Sequence, residues 1–450
     1  MTAPATGVAG PGEDVDGFLL GLPASGRGAG APATAPQERA REILAELGDP
    51  QERVRTVHVA GTAGKGSVCA FVAALLAEHG FRVGTQTSPH VYSVRERFMV
   101  GGQPVDEAVV REHLARVRAA VGTVERRRAE RCAFFEVVTA LGFSIAAERA
   151  HYAVVETGIG GRLDPTNVVA RPDKLAVVTR IGLDHVDILG DSPGRIAAEK
   201  SGILPVGGDA VAAVNGPEAD AALVERARER GTRLEFVDTD AAAAVARTGP
   251  SGTRVDLAGW ADVPLGLHGR HQAGNAVLAL HAVATLAQRD GWSLDPLAVR
   301  NGLARTHIPG RFEQRSVRGR AVVLDGAHDP VKLSALAETV GDRYPDRAVT
   351  WVLALARDKD LDASVQAVAP GAGRIVATEL PAGPAGGHRP AVWSAAEIAA
   401  AARRAGVEAV AEPDPRRARE HALRTGDPTS AVVVTGSFRL LAVVDDPAPG

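Results

Sequence analysis

The residues best suited to chemistry form a glycine-rich heptapeptide, Gly61-Thr-Ala-Gly-Lys-Gly-Ser67. An apolar run, 57–60, precedes it, and a helical run begins at Val68. A strand, a glycine turn and a helix in this order form an anion cradle, because glycines let backbone N–H groups face the anion and the helix adds its positive dipole end. Lys65 would reach the terminal phosphates of a nucleotide, and the Ser67 hydroxyl would face Mg²⁺. We therefore predict a nucleotide site formed by Gly61, Thr62, Gly64, Lys65, Gly66 and Ser67.

Two further observations bear on this interpretation of the loop. The usual phosphate-loop spacing places a glycine at position 59, where this chain has Val59, so a glycine-rich turn without a ligand stays an alternative. Lysine is scarce, since only five of the 51 basic residues are lysines. Where arginine is the default cation, a retained lysine indicates chemistry that arginine cannot perform. Lys65 is therefore a candidate functional residue on composition as well as position.

Composition excludes several classes of protein. A chain of 450 residues exceeds what one hydrophobic core usually supports and predicts two domains. A net charge of −3 and an aromatic content of 4% argue against a nucleic-acid or anionic-membrane surface. Cys69 and Cys132 are too few for a disulfide framework and are expected to be buried thiols. The first residues lack a secretory-signal pattern, and no apolar run approaches the ~20 residues of a membrane span, so we expect a cytoplasmic protein.

The elements that would position the loop alternate between strand and helix, with strand-like runs that include 152–156 and 349–353 and helical runs that include 134–149. This alternation predicts an α/β fold in which a P-loop-type, mostly parallel sheet domain is followed by a smaller Rossmann-like α/β domain. A small antiparallel patch is expected at 254–267, where glycine and proline separate short apolar runs. The predicted divisions are a mobile N-terminal segment (1–37), a first domain (38–308), a linker (309–312) and a second domain (313–450).

Polar side chains follow three strand-like runs of the first domain, at the sheet edge where ligands gather in parallel α/β proteins. Glu156 ends a buried run before a glycine cluster and is predicted to bind Mg²⁺, with a solvated turn carboxylate as the alternative. His185 fits a metal ligand or a loop histidine. Ser88 precedes a proline and fits a weak metal ligand or a turn starter.

Further candidates lie at a helix end and in the second half of the chain. Lys200 would complement a helix dipole, but arginine would do so equally well, and only an amine can be carbamylated or readily lose its proton. Arg311 lies in the predicted linker, and Asp325 and His328 follow the first strand of the second domain. A hinge arginine and a strand-end Asp/His pair suit a nucleotide enclosed between two domains.

Eleven short motifs, in order, resemble those of the folylpolyglutamate synthase/dihydrofolate synthase family, a branch of the Mur ligase superfamily. They lie between about Glu38 and Leu441 and read GTAGKGS, TSPH, FFE, ETGIGGRLDPTN, IGLDH, AEKSGI, GRHQAGN, PGRFE, DGAHD, RDKD and VTGSF. The resemblance implies a central-type ATP-binding domain followed by a glutamate-ligase-type domain. It also implies a reaction in which ATP phosphorylates a carboxylate and glutamate attacks the acyl phosphate, releasing ADP and phosphate.

The resemblance also implies roles for individual residues. Lys65, Lys200 and His328 would be catalytic, with Lys200 carbamylated to help a second Mg²⁺ and His328 beside the transferred phosphoryl group. The residues implied to ligate Mg²⁺ are Ser88, Glu156 and His185. Those implied to contact ATP beyond the loop are Asn275, Arg311 and Asp325. Those implied to hold the pterin-bearing substrate are Phe135, Arg162, Leu163 and Asp164.

Three departures from the family pattern leave the acid substrate open. Ala63 replaces an asparagine of the loop, Asp329 replaces an asparagine after His328, and the Gly/Ala/Pro-rich loop before Glu38 matches poorly. We predict a ligase that adds L-glutamate to dihydropteroate, to folates or to both, acting on small molecules as a monomer. The alternatives are a relative that joins a non-folate acid to an amino acid and an inactive nucleotide-binding protein. The inactive alternative is disfavoured because the chain retains Lys65, Glu156, His185 and Lys200.

Overall fold

The computed structural model describes residues 15–24, 35–257, 259–345, 347–380, 391–425 and 430–445. Two compact units divide the chain: residues 1–239 with 274–303, and residues 240–273 with 304–450. Residues 240–273 thus lie in the second unit, whereas the predicted first domain ran without interruption to residue 308. Most of the segment predicted to be mobile, 1–37, lies outside the described residues.

Most of the strands begin and end close to apolar runs of the sequence. In chain order they are β1 Arg55–Ala60, β2 Val83–Gln86, β3 Phe98–Val100, β4 Gln103–Pro104, β5 Tyr152–Glu156, β6 Leu175–Val178, β7 Asp209–Ala213, β8 Arg233–Val237, β9 Arg247–Gly249, β10 Gly252–Leu257, β11 Trp260–Leu265, β12 Glu313–Val317, β13 Arg320–Leu324, β14 Val349–Leu353, β15 Ala372–Ala377, β16 Ala409–Ala411 and β17 Ala431–Thr435.

Helices connect most of these strands, as expected for βαβ units. They are α1 Val15–Leu20, α2 Pro36–Glu46, α3 Lys65–Glu78, α4 Glu107–Arg128, α5 Phe134–Arg149, α6 Val186–Leu189, α7 Pro193–Lys200, α8 Pro217–Arg230, α9 Thr239–Val245, α10 Arg270–Asp290, α11 Pro296–Arg305, α12 Pro330–Arg343, α13 Leu361–Val368, α14 Ala395–Arg404, α15 Pro415–Arg424 and α16 Phe438–Asp445.

The first unit is built on a sheet whose described strands follow the order β4-β3-β2-β5-β1-β6-β7-β8. The six strands β2, β5, β1, β6, β7 and β8 pair in parallel with their neighbours in this order. The pairs β2–β3 and β3–β4 at one end of the sheet are antiparallel. Strands β5, β6 and β7 are buried along their whole length, as expected for a parallel sheet covered on both faces. Strand β1 lies between β5 and β6, so the carboxyl ends of all three meet at one edge, where the glycine-rich loop begins.

The second unit contains a smaller sheet with the described order β12-β13-β17-β14-β15-β16, parallel except for the β12–β13 hairpin. Strands β9, β10 and β11 form an antiparallel sheet in the same unit, which confirms the predicted patch. The predicted α/β class, with a mostly parallel sheet followed by a smaller α/β domain, is confirmed. The edge strand β12 was not predicted, because its alternating polar residues do not form an apolar run.

Near the N-terminus, α1 buries Val15 and Leu19, so this part of the segment predicted to be mobile is helical and packed in the core. Cys69 and Cys132 are free and buried, as predicted, and burial raises the pKa of both thiols. In the described parts of the chain, no helix combines the length and the apolar character needed to span a membrane.

Candidate active site

The glycine-rich loop leads from the end of β1 into α3, which begins at Lys65. Gly64 is the N-cap of this helix and adopts a left-handed conformation with φ of 87°. Because a glycine has no side chain with which to cap, the first N–H groups of α3, those of Lys65, Gly66 and Ser67, are left to meet an anion. The predicted order of strand, turn and helix is confirmed, and it produces the backbone geometry of a phosphate cradle.

At two positions of the loop, neighbouring side chains leave no room for any residue larger than glycine. A Cβ on Gly61 would collide with the hydroxyl of Thr179, and a Cβ on Gly64 would collide with the side-chain oxygen of Asn275. The positive φ of Gly64 excludes most other residues as well. Asn275, one turn into α10, therefore lies directly against the loop in the first unit, where the resemblance implied an ATP contact.

The backbone of the loop is fastened to the chain that follows β6. The amide of Thr62 donates to the carbonyl of Arg180 at 2.8 Å, and the Thr62 hydroxyl donates to the carbonyl of Gly182 at 3.0 Å. The Thr179 hydroxyl donates to the carbonyl of Ala63 at 2.7 Å. The exposed Ala63 thus has its backbone held from outside the loop. Sequence reasoning missed Thr179, although its position at the end of an apolar strand was a usable signal.

Lys200, the last residue of α7, reaches the same loop. Its amine donates a hydrogen bond of 2.8 Å to the carbonyl of Gly61, and the residue is 3% exposed. Burial, reinforced by the charge of Lys65, lowers the pKa of Lys200 to about 7, although Asp184 and Asp164 act in the opposite direction. The structure therefore brings two of the predicted catalytic lysines to one loop and leaves Lys200 with a readily deprotonated amine.

Glu156 and Ser88 lie next to each other at this edge of the sheet. The amide of Ser88 donates to Glu156 Oε2 at 2.9 Å, and a Cβ on Gly66 would lie 3.5 Å from the same oxygen. A buried carboxylate beside the start of α3, with a serine hydroxyl on the neighbouring residue, offers the hard oxygen donors that Mg²⁺ prefers. The chemistry of this donor pair fits Mg²⁺.

His185 lies on a different element from that pair. It is the N-cap residue of the short helix α6, with φ of 49°, and its side chain is 48% exposed with Asp184 at 3.8 Å. Among the described residues, no group of three His, Cys, Asp or Glu side chains is close enough to hold a metal ion. Metal ligation by His185 therefore stays a prediction.

A buried arginine near Glu156 was not anticipated from the sequence. Arg97 donates from Nε to His90 Nδ1 at 2.9 Å, and its guanidinium lies over the ring of Phe134. Burial lowers the pKa of Arg97 to about 10, and the charges of Glu156 and Glu96 partly oppose this shift. The side chain adds positive charge near the predicted metal ligand. Its only sequence signal was its place shortly after the TSPH motif.

The predicted substrate residues surround a loop that follows β5. The ring of Phe135 packs so closely on Gly158 that a Cβ there would lie 2.7 Å from it. Asp164 is buried and accepts hydrogen bonds from the amides of Gly158 and Ile159, at 2.9 and 3.0 Å, and from the amide and hydroxyl of Thr166. Both carboxylate oxygens of Asp164 thus shape this loop.

Arg162 and Leu163 occupy the exposed side of the same loop. Arg162 forms an ion pair with Glu199 at 2.9 Å and retains half of its side-chain exposure, and Leu163 is 43% exposed. Gly202 packs directly against the Arg162 backbone, so the loop is held in place by the turn that follows α7. These two side chains remain accessible to a substrate.

In the second unit, the Pro-Gly-Arg segment folds onto the end of β13. The carboxylate of Asp325 accepts from the amides of Phe312 and Ala327 at 2.7 and 2.8 Å, and the guanidinium of Arg311 lies 4.5 Å from the Phe438 ring centroid. Burial raises the pKa of Asp325, and the charge of Arg311 opposes that rise. The charges of Arg311 and Asp325 therefore interact. The two residues lie in separate motifs, so the sequence did not reveal this interaction.

His328 and Asp329 form a cluster with Lys332 at the start of α12. The Nδ1 of His328 donates to the carbonyl of Gly326 at 2.8 Å, while its Nε2 accepts from the Lys332 amine at 3.2 Å. These bonds favour the neutral tautomer that is protonated on Nδ1, and burial and Lys332 both lower the pKa of His328. Lys332 also pairs with Asp329 at 2.6 Å. The extra negative charge expected at position 329 is thus neutralised locally.

Comparison with known protein families agrees with this architecture. Residues 110–283 match the Mur ligase middle domain, and residues 310–438 match the Mur ligase glutamate ligase domain. The first match covers Glu156 and His185, and the second covers Arg311, Asp325 and His328.

Comparison with individual proteins extends the likeness over most of the chain. The dihydrofolate synthase/folylpolyglutamate synthase of Bacillus subtilis is 33% identical over 71% of this chain and 75% of its own. The folylpolyglutamate synthase of Lacticaseibacillus casei is 30% identical over 91% of this chain and 94% of its own. The crystal structure of Mycobacterium tuberculosis folylpolyglutamate synthase, complexed with ADP and AMPPCP, has a TM-score of 0.78 and 31% identity, covering 92% of this chain and 96% of that one.

Proposed function

The chain belongs to the folylpolyglutamate synthase/dihydrofolate synthase family of Mur ligases, and we propose that it uses ATP to join L-glutamate to dihydropteroate, to folates or to both. It is a ligase that forms a carbon–nitrogen bond. The observation that carries the proposal is the contact of Lys200 with Gly61, because it attaches a buried amine of low pKa to the loop that cradles phosphates. The ADP and AMPPCP complexes of the mycobacterial relative support ATP as the nucleotide.

The loop supplies the electrostatic part of the reaction. The γ-phosphoryl group passes from ATP to the acid carboxylate, and the glutamate amine then attacks the acyl phosphate to give an amide, ADP and phosphate. Negative charge on the transferring phosphoryl group is stabilised by the amides at the start of α3 and by the amine of Lys65. Contact with ATP by Asn275, Arg311 and Asp325 and a place for His328 beside the phosphoryl group are further parts of the proposal.

Mg²⁺, when bound, would neutralise charge on the phosphate oxygens. Glu156 and Ser88 would hold it with oxygen donors, and His185 is proposed as a third ligand. Lys200 would provide for a second Mg²⁺: its unprotonated amine adds to CO₂, releases a proton and becomes a carbamate with a new carboxylate. At a pKa of about 7, about half of the Lys200 amine is unprotonated at neutral pH, as this addition requires.

The acid is proposed to lie against Phe135 and the loop of Arg162, Leu163 and Asp164. Phe135 offers an aromatic face, and Arg162 and Leu163 are accessible on the other side of the loop. The alternative, a relative that uses a non-folate acid, depends on the substitutions at Ala63 and Asp329. Because Lys332 pairs with Asp329, the argument from charge at that position is weakened, and folate-type acids are favoured.

One assay separates the candidate functions. We expect ADP release with ATP, Mg²⁺ and glutamate only when dihydropteroate or tetrahydrofolate is also present, and no release by the Lys65→Ala variant. Turnover with another carboxylic acid but with neither pterin compound would support the specialised relative. Nucleotide binding without acid-dependent turnover across a broad panel of acids would support the inactive protein. A cytoplasmic location and a monomeric state are also proposed, and size-exclusion chromatography with light scattering tests the second.

A further inference from the structure

The first unit contains a cavity that extends from the loop after β5 to the start of β6. Lys174 lines it immediately before β6 begins, and Arg230 lines it at the end of α8. The glycine-rich loop follows the end of β1, which runs parallel to β6, so Lys174 lies at the opposite end of these strands from that loop. The other side of the cavity is lined by Arg162 and Leu163. Its volume of about 460 Å³ falls in the range of roughly 300–1,000 Å³ that is usual for small-molecule sites.

The side chains lining this cavity carry one sign of charge. Five are basic and none is a carboxylate. Arg162 is paired with Glu199, and Arg171 is paired with Asp173 at 2.6 Å. The remaining three are Arg41, Lys174 and Arg230.

The hydrogen-bond partners found for these three side chains are neutral oxygens. Lys174 donates to the side-chain oxygen of Asn167 at 3.4 Å, and Arg41 donates to the Asn167 carbonyl at 3.3 Å. Arg230 donates to the carbonyl of Leu204 at 2.8 Å. The carboxylate whose charge favours protonated Lys174 is that of Glu52, which accepts a hydrogen bond from the amide of Ala170 at 2.8 Å. Carbonyl oxygens therefore solvate three basic side chains that line one cavity.

Placing a lysine here is unfavourable for stability. Lys174 is 3% exposed, and burial together with the charges of Arg230 and Arg41 lowers its pKa to about 7. An apolar residue of similar length would avoid this desolvation. Since the chain uses only five lysines, a buried lysine that faces two arginines indicates a functional demand.

We propose that this cavity binds a small polyanion, a molecule that carries two or more phosphate or carboxylate groups. The fork of a guanidinium matches two oxygens of either group, and an ammonium adds a compact charge between them. Asn167 connects the cavity to the loop described above, because its side-chain amide donates to the carbonyls of Arg162 and Gly202. Arg162 and Leu163, which are proposed above to contact the acid, also line this cavity, so the test measures binding directly and does not use turnover.

Calorimetric titration of the full chain tests the proposal, with tripolyphosphate and tetra-γ-glutamate as separate probes. The Lys65→Gln background is used throughout, so that the glycine-rich loop contributes little binding of phosphate. We expect one site, with affinity reduced about tenfold or more by Lys174→Gln and by Arg230→Gln. The matched control is Arg228→Gln, which removes the same charge from an exposed position on α8 and should leave the affinity unchanged. Tighter binding of tripolyphosphate would identify phosphates as the preferred groups, and tighter binding of tetra-γ-glutamate would identify carboxylates.

A second readout assigns the binding to Lys174. At pH 8 the bound anion should draw a proton onto the largely neutral Lys174 amine, so titrations in buffers of different ionisation enthalpy should show proton uptake. The buried His58 also senses the charge of Lys174, as do Glu52, Arg41 and Arg230, and loss of the uptake in Lys174→Gln assigns it to the lysine. Absence of binding by either probe at about 1 mM, or an equal loss in Arg228→Gln, would overturn the proposal.

Discussion

The amine of Lys200 lies 2.8 Å from the carbonyl oxygen of Gly61 and donates a hydrogen bond to it, although 139 residues separate the two in sequence. This contact joins the end of α7 to the first residue of the glycine-rich loop. The buried Lys200 amine, whose pKa is about 7, therefore helps to hold the glycine-rich loop in place. It lies beside the loop whose amides would face an anion.

The first prediction concerns the replacement of Lys200 by arginine. A guanidinium at this position would keep the positive charge but could not form a carbamate, so we expect Lys200→Arg to lose about 100-fold in kcat, the size of effect seen when one transition-state contact is removed. Steady-state ADP release measures it. Carbon-13 NMR with labelled bicarbonate should show a carbamate in the wild type that is absent from Lys200→Arg. Near-normal turnover of the variant would exclude the carbamate mechanism.

The second prediction separates steric fit from backbone strain in the glycine-rich loop. Gly64 and Gly80 flank the two ends of α3 with φ of 87° and 85°, but only at Gly64 would a Cβ meet another side chain, that of Asn275. Both Gly→Ala variants should lose about 1 kcal/mol of unfolding free energy from the left-handed backbone. ADP affinity, measured by calorimetry, should fall about tenfold or more in Gly64→Ala and stay unchanged in Gly80→Ala. Equal ADP affinities would show that the contact with Asn275 does not matter.

The third prediction concerns the departure at Ala63. This residue is exposed, and its backbone is already held by Thr179 and Arg180, so an asparagine fits without disturbing the loop. Ala63→Asn should bind ATP as well as the wild type or better, because it adds a donor and an acceptor near the cradle. Ala63→Leu, of similar size but without polar atoms, should not improve binding. A clear loss of affinity in Ala63→Asn would show that alanine serves another requirement of the site.

The fourth prediction concerns the cluster of Asp329, Lys332 and His328. Asp329→Asn keeps the cap on α12 but removes a charge that raises the pKa of His328, so that pKa should fall further. A double-mutant cycle of Asp329→Asn with Lys332→Met should give a coupling energy of about 0.5–1 kcal/mol, as for partly exposed ion pairs. NMR titration of His328 and chemical denaturation provide the two measurements. An unchanged histidine titration would contradict the proposed electrostatic link.

The fifth prediction concerns the pH dependence of stability. The pKa of Lys174 is about 7 in the folded protein and 10.5 in the reference state, so the unfolded chain binds more protons between these values. The contribution of Lys174 to the free energy of unfolding therefore rises with pH across this window and falls as the pH drops toward 7. Lys174→Met should be more stable than the wild type at pH 7, and its slope should be lower by up to about 1.4 kcal/mol per pH unit. Urea denaturation from pH 7 to 10 measures both effects, and an identical slope would contradict burial of the lysine.

Much of the fold was predictable because its signals are local. The apolar runs at β5 and β14 are bounded by residues that end a strand, and the observed bounds equal the predicted ones. The helix Phe134–Arg149 was likewise predicted to the residue. Strands β3, β4 and β12 were missed, because short or polar edge strands are determined by pairing with a neighbour and carry little apolar signal of their own.

The site shows a similar division. Its loop and Glu156 were predicted from residue type and position, since the carboxyl ends of parallel strands gather at one edge. Lys200 was predicted from the scarcity of lysine and its place at a helix end. Thr179 was not found, because its contact with Ala63 depends on how separate segments pack. Arg97 was not found, because its contact with His90, seven residues earlier, depends on the turn of the chain between them. The charge at Asp329 was judged from the sequence alone, and only the turn of α12 placed Lys332 within reach to neutralise it.

The sequence by itself determined the α/β class, the phosphate loop and the family, because glycine placement, apolar periodicity and ordered motifs are properties of the chain. The tertiary structure decided which groups meet and what they become. It buried Lys200 against Gly61 and placed Lys174 near two arginines. It also brought the Asp164 carboxylate to the backbone amide of Gly158, from which it accepts a hydrogen bond. Burial and neighbouring charge set a side chain's proton affinity, and both exist only once distant segments have packed together.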